Sequence, residues 1–228
     1  MKKFFTTLIA IILVVAVGGA VFIFAFDKKI PTKWANSVIE AVKDDEFPSN
    51  DKLPKKLKYL AEYITYTKEG NKTVTTYDYK VSLEVTNKST ADAEAYVAKT
   101  TQYNEKGEVS EELTKRYYVE EGQHYREDKD GKTPLADFSE VYAGYGFSIA
   151  GFYEEDRTLD ADIIVMINSN LEYVSQKGLN IILHLVDGNV SVNISFNIIS
   201  KRVVKFERTE DTYTDNVLSH RVHEYVEF

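Results

Sequence analysis

The chain contains no cysteine. Disulfides, thiolate metal sites and a cysteine nucleophile are thereby excluded, as is a lipid anchor of the kind that is attached to a cysteine. Proline is scarce, with four residues in 228 and none beyond Pro134, so the later segments are free to form central strands. Basic residues are outnumbered, 28 Lys and Arg against 36 Asp and Glu, for a formal charge of −8. No basic stripe supplies the phosphate-neutralising contacts that nucleic acids require. The sequence also lacks a glycine-rich phosphate loop, a G-x-S-x-G elbow, a dinucleotide fingerprint and an H-E-x-x-H motif. These absences leave no cofactor, no metal and no catalytic residue to be expected.

What is present begins with a long apolar run. From Phe4 to Phe26 there is no ionisable side chain, and 15 residues are Leu, Ile, Val or Phe. At about 1.5 Å per residue such a helix spans roughly 34 Å, enough to cross a hydrocarbon core of about 30 Å. Ala16, Gly18 and Ala20 offer a competing reading as a cleaved export signal, but the apolar run continues well past them. The expectation is therefore a signal-anchor with a short cytoplasmic start at Lys2 and Lys3. The rest of the chain would lie outside the cytoplasm, single-pass and membrane-held, or secreted if the segment is cleaved. The chain divides into residues 1–29 (signal-anchor), 30–56 (helix and linker) and 57–228 (extracytoplasmic α+β domain).

Periodicity organises that domain. Trp34, Val38 and Val42 recur at four-residue spacing after Pro31, which predicts an amphipathic helix with Trp34 as a docking anchor on the domain or at the membrane interface. DDEFPSNDKLP reads as a linker. Leu57, Leu60 and Ile64 predict a helix over PKKLKYLAEYITY. From Thr73 the period falls to two, with Tyr77, Tyr79, Val81, Leu83 and Val85 on one face. Asn104–Gly107 and Asp128–Gly131 read as hairpin turns between strands, and the second fits a turn better than a calcium loop because Arg126 would occupy the first ligand place. Residues 133–160 break the rhythm with loops and a short helix. Asp160 as N-cap, the stripe Ile163, Ile167, Leu171 and Val174, and Gly178 as stop predict a long helix. Strands then run to the end through the Asp187-Gly188 turn. The fold expected is α+β: an N-terminal transmembrane helix, then a curved, half-barrel-like antiparallel meander covered by a few helices.

The order of export segment, helix, meander, aromatic-rich crossing and final strands, including the alternating Ser200–Glu207 segment of NIISKRVVKFE, resembles the bacterial lipoprotein-carrier superfamily with its LppX-like members. That resemblance covers residues 32–228 at the level of pattern and implies a half-barrel that holds acyl chains. It lacks the lipidated cysteine of those relatives, so anchoring would fall to Phe4–Phe26. On the residues alone, a concave face carrying Tyr77, Tyr79, Val81, Leu83, Val192, Ile194 and Phe196 either closes as a solid core or leaves a pocket for an apolar ligand. Two functions are expected from this: a non-catalytic domain binding a hydrophobic or lipid-like ligand, or a structural and protein-interaction module of the envelope with a filled core. A third, a hydrolase using carboxylates between Glu154 and Asp162, ranks last. His184, inside an apolar strand, is expected to be a hydrogen-bonded core residue.

Overall fold

The computed structural model describes residues 28–46, 55–90, 93–137, 152 and 158–228. In chain order these form β1 (Lys28–Ile30), α1 (Thr32–Lys43), β2 (Lys56–Glu69), β3 (Lys72–Asn87), β4 (Ala95–Tyr103), β5 (Val109–Glu120), β6 (Gln123–Asp128) and β7 (Gly131–Leu135). There follow α2 (Ala161–Ser169), β8 (Leu171–Lys177), β9 (Asn180–Asp187), β10 (Val190–Asn197), β11 (Arg202–Thr214) and β12 (Val217–Glu227). All twelve strands belong to one antiparallel sheet, in the order β1-β8-β9-β10-β11-β12-β2-β3-β4-β5-β6-β7. Two hairpin meanders, β2–β7 and β8–β12, are thus joined edge to edge by the pairing of β12 with β2.

The expected balance of an α+β fold is overturned: the described residues are predominantly strand, with only two helices. Two segments account for the difference. The segment PKKLKYLAEYITY (54–66), expected as a helix from Leu57, Leu60 and Ile64, contributes instead to β2, with Leu57, Tyr59 and Ala61 buried at alternate positions. Its run of Tyr, Ile and Thr suits a pleated surface, and partners on both sides, β12 and β3, decide the matter. The helix expected from Asp160 to Gly178 stops at Asn170. Asp160 does cap it, accepting hydrogen bonds from the Asp162 and Ile163 amides, but Leu171 and Val174 lie in β8 between β1 and β9. Gly178, expected as a helix stop, is the turn of the β8–β9 hairpin at φ +59°. No described helix is long and apolar enough to cross a membrane, and the segment Phe4–Phe26 lies outside the described residues. So do most of the linker, most of the aromatic-rich crossing, and Glu154, Glu155 and Asp156.

Turn chemistry is as expected elsewhere. The Asn104–Gly107 and Asp128–Gly131 turns close the β4–β5 and β6–β7 hairpins, and Asp187-Gly188 closes β9–β10. The Asp130 amide donates to Asp128 Oδ1, which locks the second of these turns.

Both helices cover one face of the sheet. Helix α1 buries Ala35, Ile39 and Val42, so its inward stripe is offset by one position from Trp34, which is 71 % exposed and does not dock on the domain. Helix α2 buries Ile163 and Ile167. Beneath them lie Val174, Leu183, Leu185, Ile194 and Phe206, none with appreciable exposure. Phe206 stacks on Phe152 at 4.7 Å between ring centroids. Truncating a fully enclosed aromatic removes its transfer free energy and leaves a cavity. Phe206→Ala is expected to lower the unfolding free energy by about 3–5 kcal/mol, read from urea denaturation of the full chain; a loss under about 1 kcal/mol would show that the site collapses freely.

Candidate functional site

Of the seven residues expected to line a concave face, Val81, Leu83, Val192, Ile194 and Phe196 come together in the buried apolar core. Tyr79 shares their face but is 52 % exposed. Tyr77 does not share it. In the β2–β3 register Tyr63 faces Tyr79 and Ile64 faces Tyr77, so Asp78 is the extra residue of a β-bulge. The bulge turns Tyr77 to the opposite face, where its ring lies 4.6 Å from Lys80 Nζ. Gly107 is held against this ring; at φ +78° a Cβ there would lie 2.8 Å from the Tyr77 ring.

Where the helix cover ends, the covered face continues as an aromatic and charged shelf. Tyr63, 41 % exposed, meets Tyr79 edge to face at 5.6 Å. Next to them Tyr59 donates from its hydroxyl to Glu224 Oε1 at 3.3 Å. Burial and then the Glu224 carboxylate push the Tyr59 phenol well above its ordinary range, and the same two causes, in the same order, raise Tyr63. Both phenols stay protonated as hydrogen-bond donors at any physiological pH. Arg208 Nη2 donates to Glu210 Oε2 at 3.0 Å, while its Nε is buried and meets no acceptor among the described residues.

The outer face is polar, and its charges alternate in sign along a register row. Lys205, Glu227, Lys58, Glu84 and Lys99 follow one another across β11, β12, β2, β3 and β4. Four residues further along these strands, His223 lies beside Glu62, which in turn pairs with Lys80. His223 Nδ1 stands 3.2 Å from Glu62 Oε2 and its Nε2 3.1 Å from Glu207 Oε1. Lys80 reaches Glu62 at 2.7 Å and Lys205 reaches Glu207 at 3.2 Å. Two carboxylates, one facing each ring nitrogen, favour the imidazolium form of His223. Its pKa is raised, first by the Glu207 hydrogen bond, against burial. Glu207 is lowered to about 2, chiefly by its hydrogen bond to His223. A groove of about 340 Å³ beside this network is lined by Lys80, Ser82, Thr101, Tyr103 and Tyr225 among others. Opposite charges placed across strands support the register, because a one-residue slip would set Lys58 opposite Leu83 or Val85 in place of Glu84 and turn it to the covered face. No described group of three or more His, Asp or Glu side chains is arranged to hold a metal.

A second polar relay crosses β8, β9 and β10. Ser175 Oγ lies 2.8 Å from His184 Nε2, and His184 Nδ1 lies 2.7 Å from Asn193 Oδ1. An amide oxygen can only accept, so Nδ1 carries the proton and Nε2 accepts from the serine hydroxyl. This is the connectivity of a nucleophile, base and orienting group. However, Ser175 is only 1 % exposed, the Tyr173 ring stacks on His184 at 4.0 Å, and Lys29 Nζ sits 3.8 Å from that ring. The hydroxyl is therefore sealed from substrate. His184 is hydrogen-bonded, as expected, though on the outer face rather than in the apolar core. The strand alternation that put Ser191, Asn193 and Ser195 on the wet face was the available signal for Asn193; nothing in the sequence paired it with Ser175.

No family model, no curated protein and no solved structure matches the chain.

The charge network has a pH signature. A raised His223 pKa contributes stability that is fully present below the unfolded value near 6.5 and is lost as pH rises through the folded value. Glu207 acts oppositely: its contribution is present above its ordinary 4.5 and is lost as pH falls toward about 2. Accordingly, the stability gap between the native chain and His223→Gln, measured by denaturant titration, should be largest between these limits and should narrow as pH rises above 6.5. A gap that widens on the alkaline side would mean that the imidazole is neutral in the fold.

Proposed function

We propose that the protein is a membrane-held, extracytoplasmic domain that binds an apolar or lipid-like ligand without catalysis. The observation that carries this reading is the shelf. The apolar face of the sheet emerges from under the helices as exposed aromatic rings, Tyr63 and Tyr79, bordered by the Tyr59 hydroxyl and by Arg208 with its unsatisfied buried Nε. Apolar area next to a few fixed polar donors suits a ligand with a hydrophobic body and a polar end. Phe4–Phe26 supplies the membrane attachment, with Lys2 and Lys3 on the cytoplasmic side. The pattern-level resemblance to lipoprotein carriers points the same way.

One observation favours the other reading, an envelope interaction module with a filled core. Leu83, Val192, Ile194 and Phe196 are each at most 3 % exposed and are packed among core side chains. Ligand binding at the shelf is compatible with that packing, which is why the shelf rather than the core interior is assigned the contact.

Native mass spectrometry with organic extraction of the full chain purified in detergent separates the two readings. Co-purified lipid, with uptake of a fluorescent fatty acid that Tyr79→Ala weakens by about tenfold, is the result expected from loss of one aromatic contact worth about 1.4 kcal/mol. A clean apo mass with no uptake overturns ligand binding and leaves the interaction module. The absence of catalysis has its own test. A fluorophosphonate probe should leave Ser175 unlabelled, whereas labelling that His184→Gln abolishes would make the Ser175 relay a hydrolase site.

A further inference from the structure

The strands have two ends, and the chain enters at one of them. Lys28, the first residue of β1, pairs with Gln176, one residue before the close of β8. Antiparallel order then puts the β8–β9 turn (Gly178 and Leu179) and the β10–β11 turn (residues 198–201) at that same end. The two turns are tied together, the Ile198 amide donating to the Leu179 carbonyl at 3.0 Å. They expose three large aliphatic side chains side by side: Leu179 at 38 %, Ile198 at 40 % and Ile199 at 70 %. Around them are exposed lysines, Lys28, Lys29, Lys177 and Lys201. The carboxylates of this corner belong to the helix ends instead, Asp44 and Asp45 at the close of α1, the latter accepting from the Val203 amide, and Asp160 and Asp162 at the start of α2, with Glu46 following α1. At the far end of the same strands the turns carry Asp187 and Asp215.

We propose that this end of the sheet, centred on Leu179, Ile198 and Ile199, rests on an anionic lipid bilayer, the one into which Phe4–Phe26 inserts. The inference builds on the membrane-held reading above and adds which surface faces the lipid. The tether length carries it. Only Asp27 separates Phe26 from Lys28, so at about 3.5 Å per residue the first strand starts within about 7 Å of the apolar run. Three strand spacings, about 14 Å in all, separate β1 from β10, so the β10–β11 turn cannot be far from the same surface. Aliphatic tips enter the headgroup boundary while the lysines meet its negative potential. The strands then stand away from the membrane and hold their acidic turns in solution.

The absence of cysteine allows clean single-site labelling. Ile199→Cys and Asn189→Cys, the latter at the far end, are each labelled with an environment-sensitive dye in the full chain. Each is reconstituted into phosphatidylcholine vesicles with or without phosphatidylglycerol, containing a nitroxide-bearing lipid. Co-flotation with vesicles tests the attachment, and quenching tests the orientation. The expected result is co-flotation, with quenching at position 199 at least about threefold that at 189, as for side chains sunk about 5–10 Å into the interface, and stronger in the anionic vesicles. Co-flotation with equal quenching at both positions overturns the inference and leaves the attachment standing. Failure to co-float overturns both.

Discussion

Everything in this sheet depends on the seam between β12 and β2. Each meander alone is a run of hairpins whose pairing is local; neither closes over a complete core. The eight register pairs from His220–Thr65 to Glu227–Lys58 join them, and they serve both faces at once. On the covered side Phe206, Val226, Tyr59 and Leu83 form one row across β11, β12, β2 and β3, all buried. On the outer side Glu207, His223, Glu62 and Lys80 cross the same four strands as a chain of charges. Hydrophobic burial supplies the driving force, and it rejects a one-residue slip, which would turn every side chain to the wrong face. The charges add cross-strand pairs that such a slip would break. The two layers therefore divide the work, one by burial and the other by pairing.

That division bears on where a ligand is to be sought. Side chains at the centre of the covered face are already matched with α1, α2 and Phe152, and displacing them would cost the packing that holds the seam. The shelf is different, since Tyr63 and Tyr79 keep a large part of their surface exposed while their neighbours fix their positions. The histidines are constrained in opposite ways. His223 is locked between two carboxylates that favour its protonated form, whereas His184 accepts from the Ser175 hydroxyl, which is itself buried.

Features that depend on adjacent residues could be read in the sequence, and those that depend on distant partners could not. Asp187-Gly188, Asn104–Gly107 and Asp128–Gly131 specify turns through their own side chains and backbone freedom, and Asp160 specifies a cap in the same way. The alternation of Val190 to Phe196 likewise reported its own burial. At 56–69 and 171–177 a helical spacing of Leu, Ile and Val coexisted with strand-forming Tyr and Thr, and the outcome was set by partner strands well over a hundred residues away in one case and by two flanking edges in the other. The bulge at Asp78 carried no signature, so Tyr77 was assigned to the wrong face. The Glu62–His223 and Ser175–His184–Asn193 contacts arise only once the register is known.

The seam also sets a timetable. β2 pairs on one side with β3, available at once, and on the other with residues 220–227, which are made some 160 positions later. Until then the β2 edge, with its buried row of Leu57, Tyr59 and Ala61 unpartnered on that side, is open to other strands. The large separation slows closure, because loop entropy must be overcome before the pairing is rewarded. A chain under synthesis thus carries an unfinished sheet until its last strand is made. Cellular factors that hold extended chains apart would matter more to its yield than the final stability of the fold.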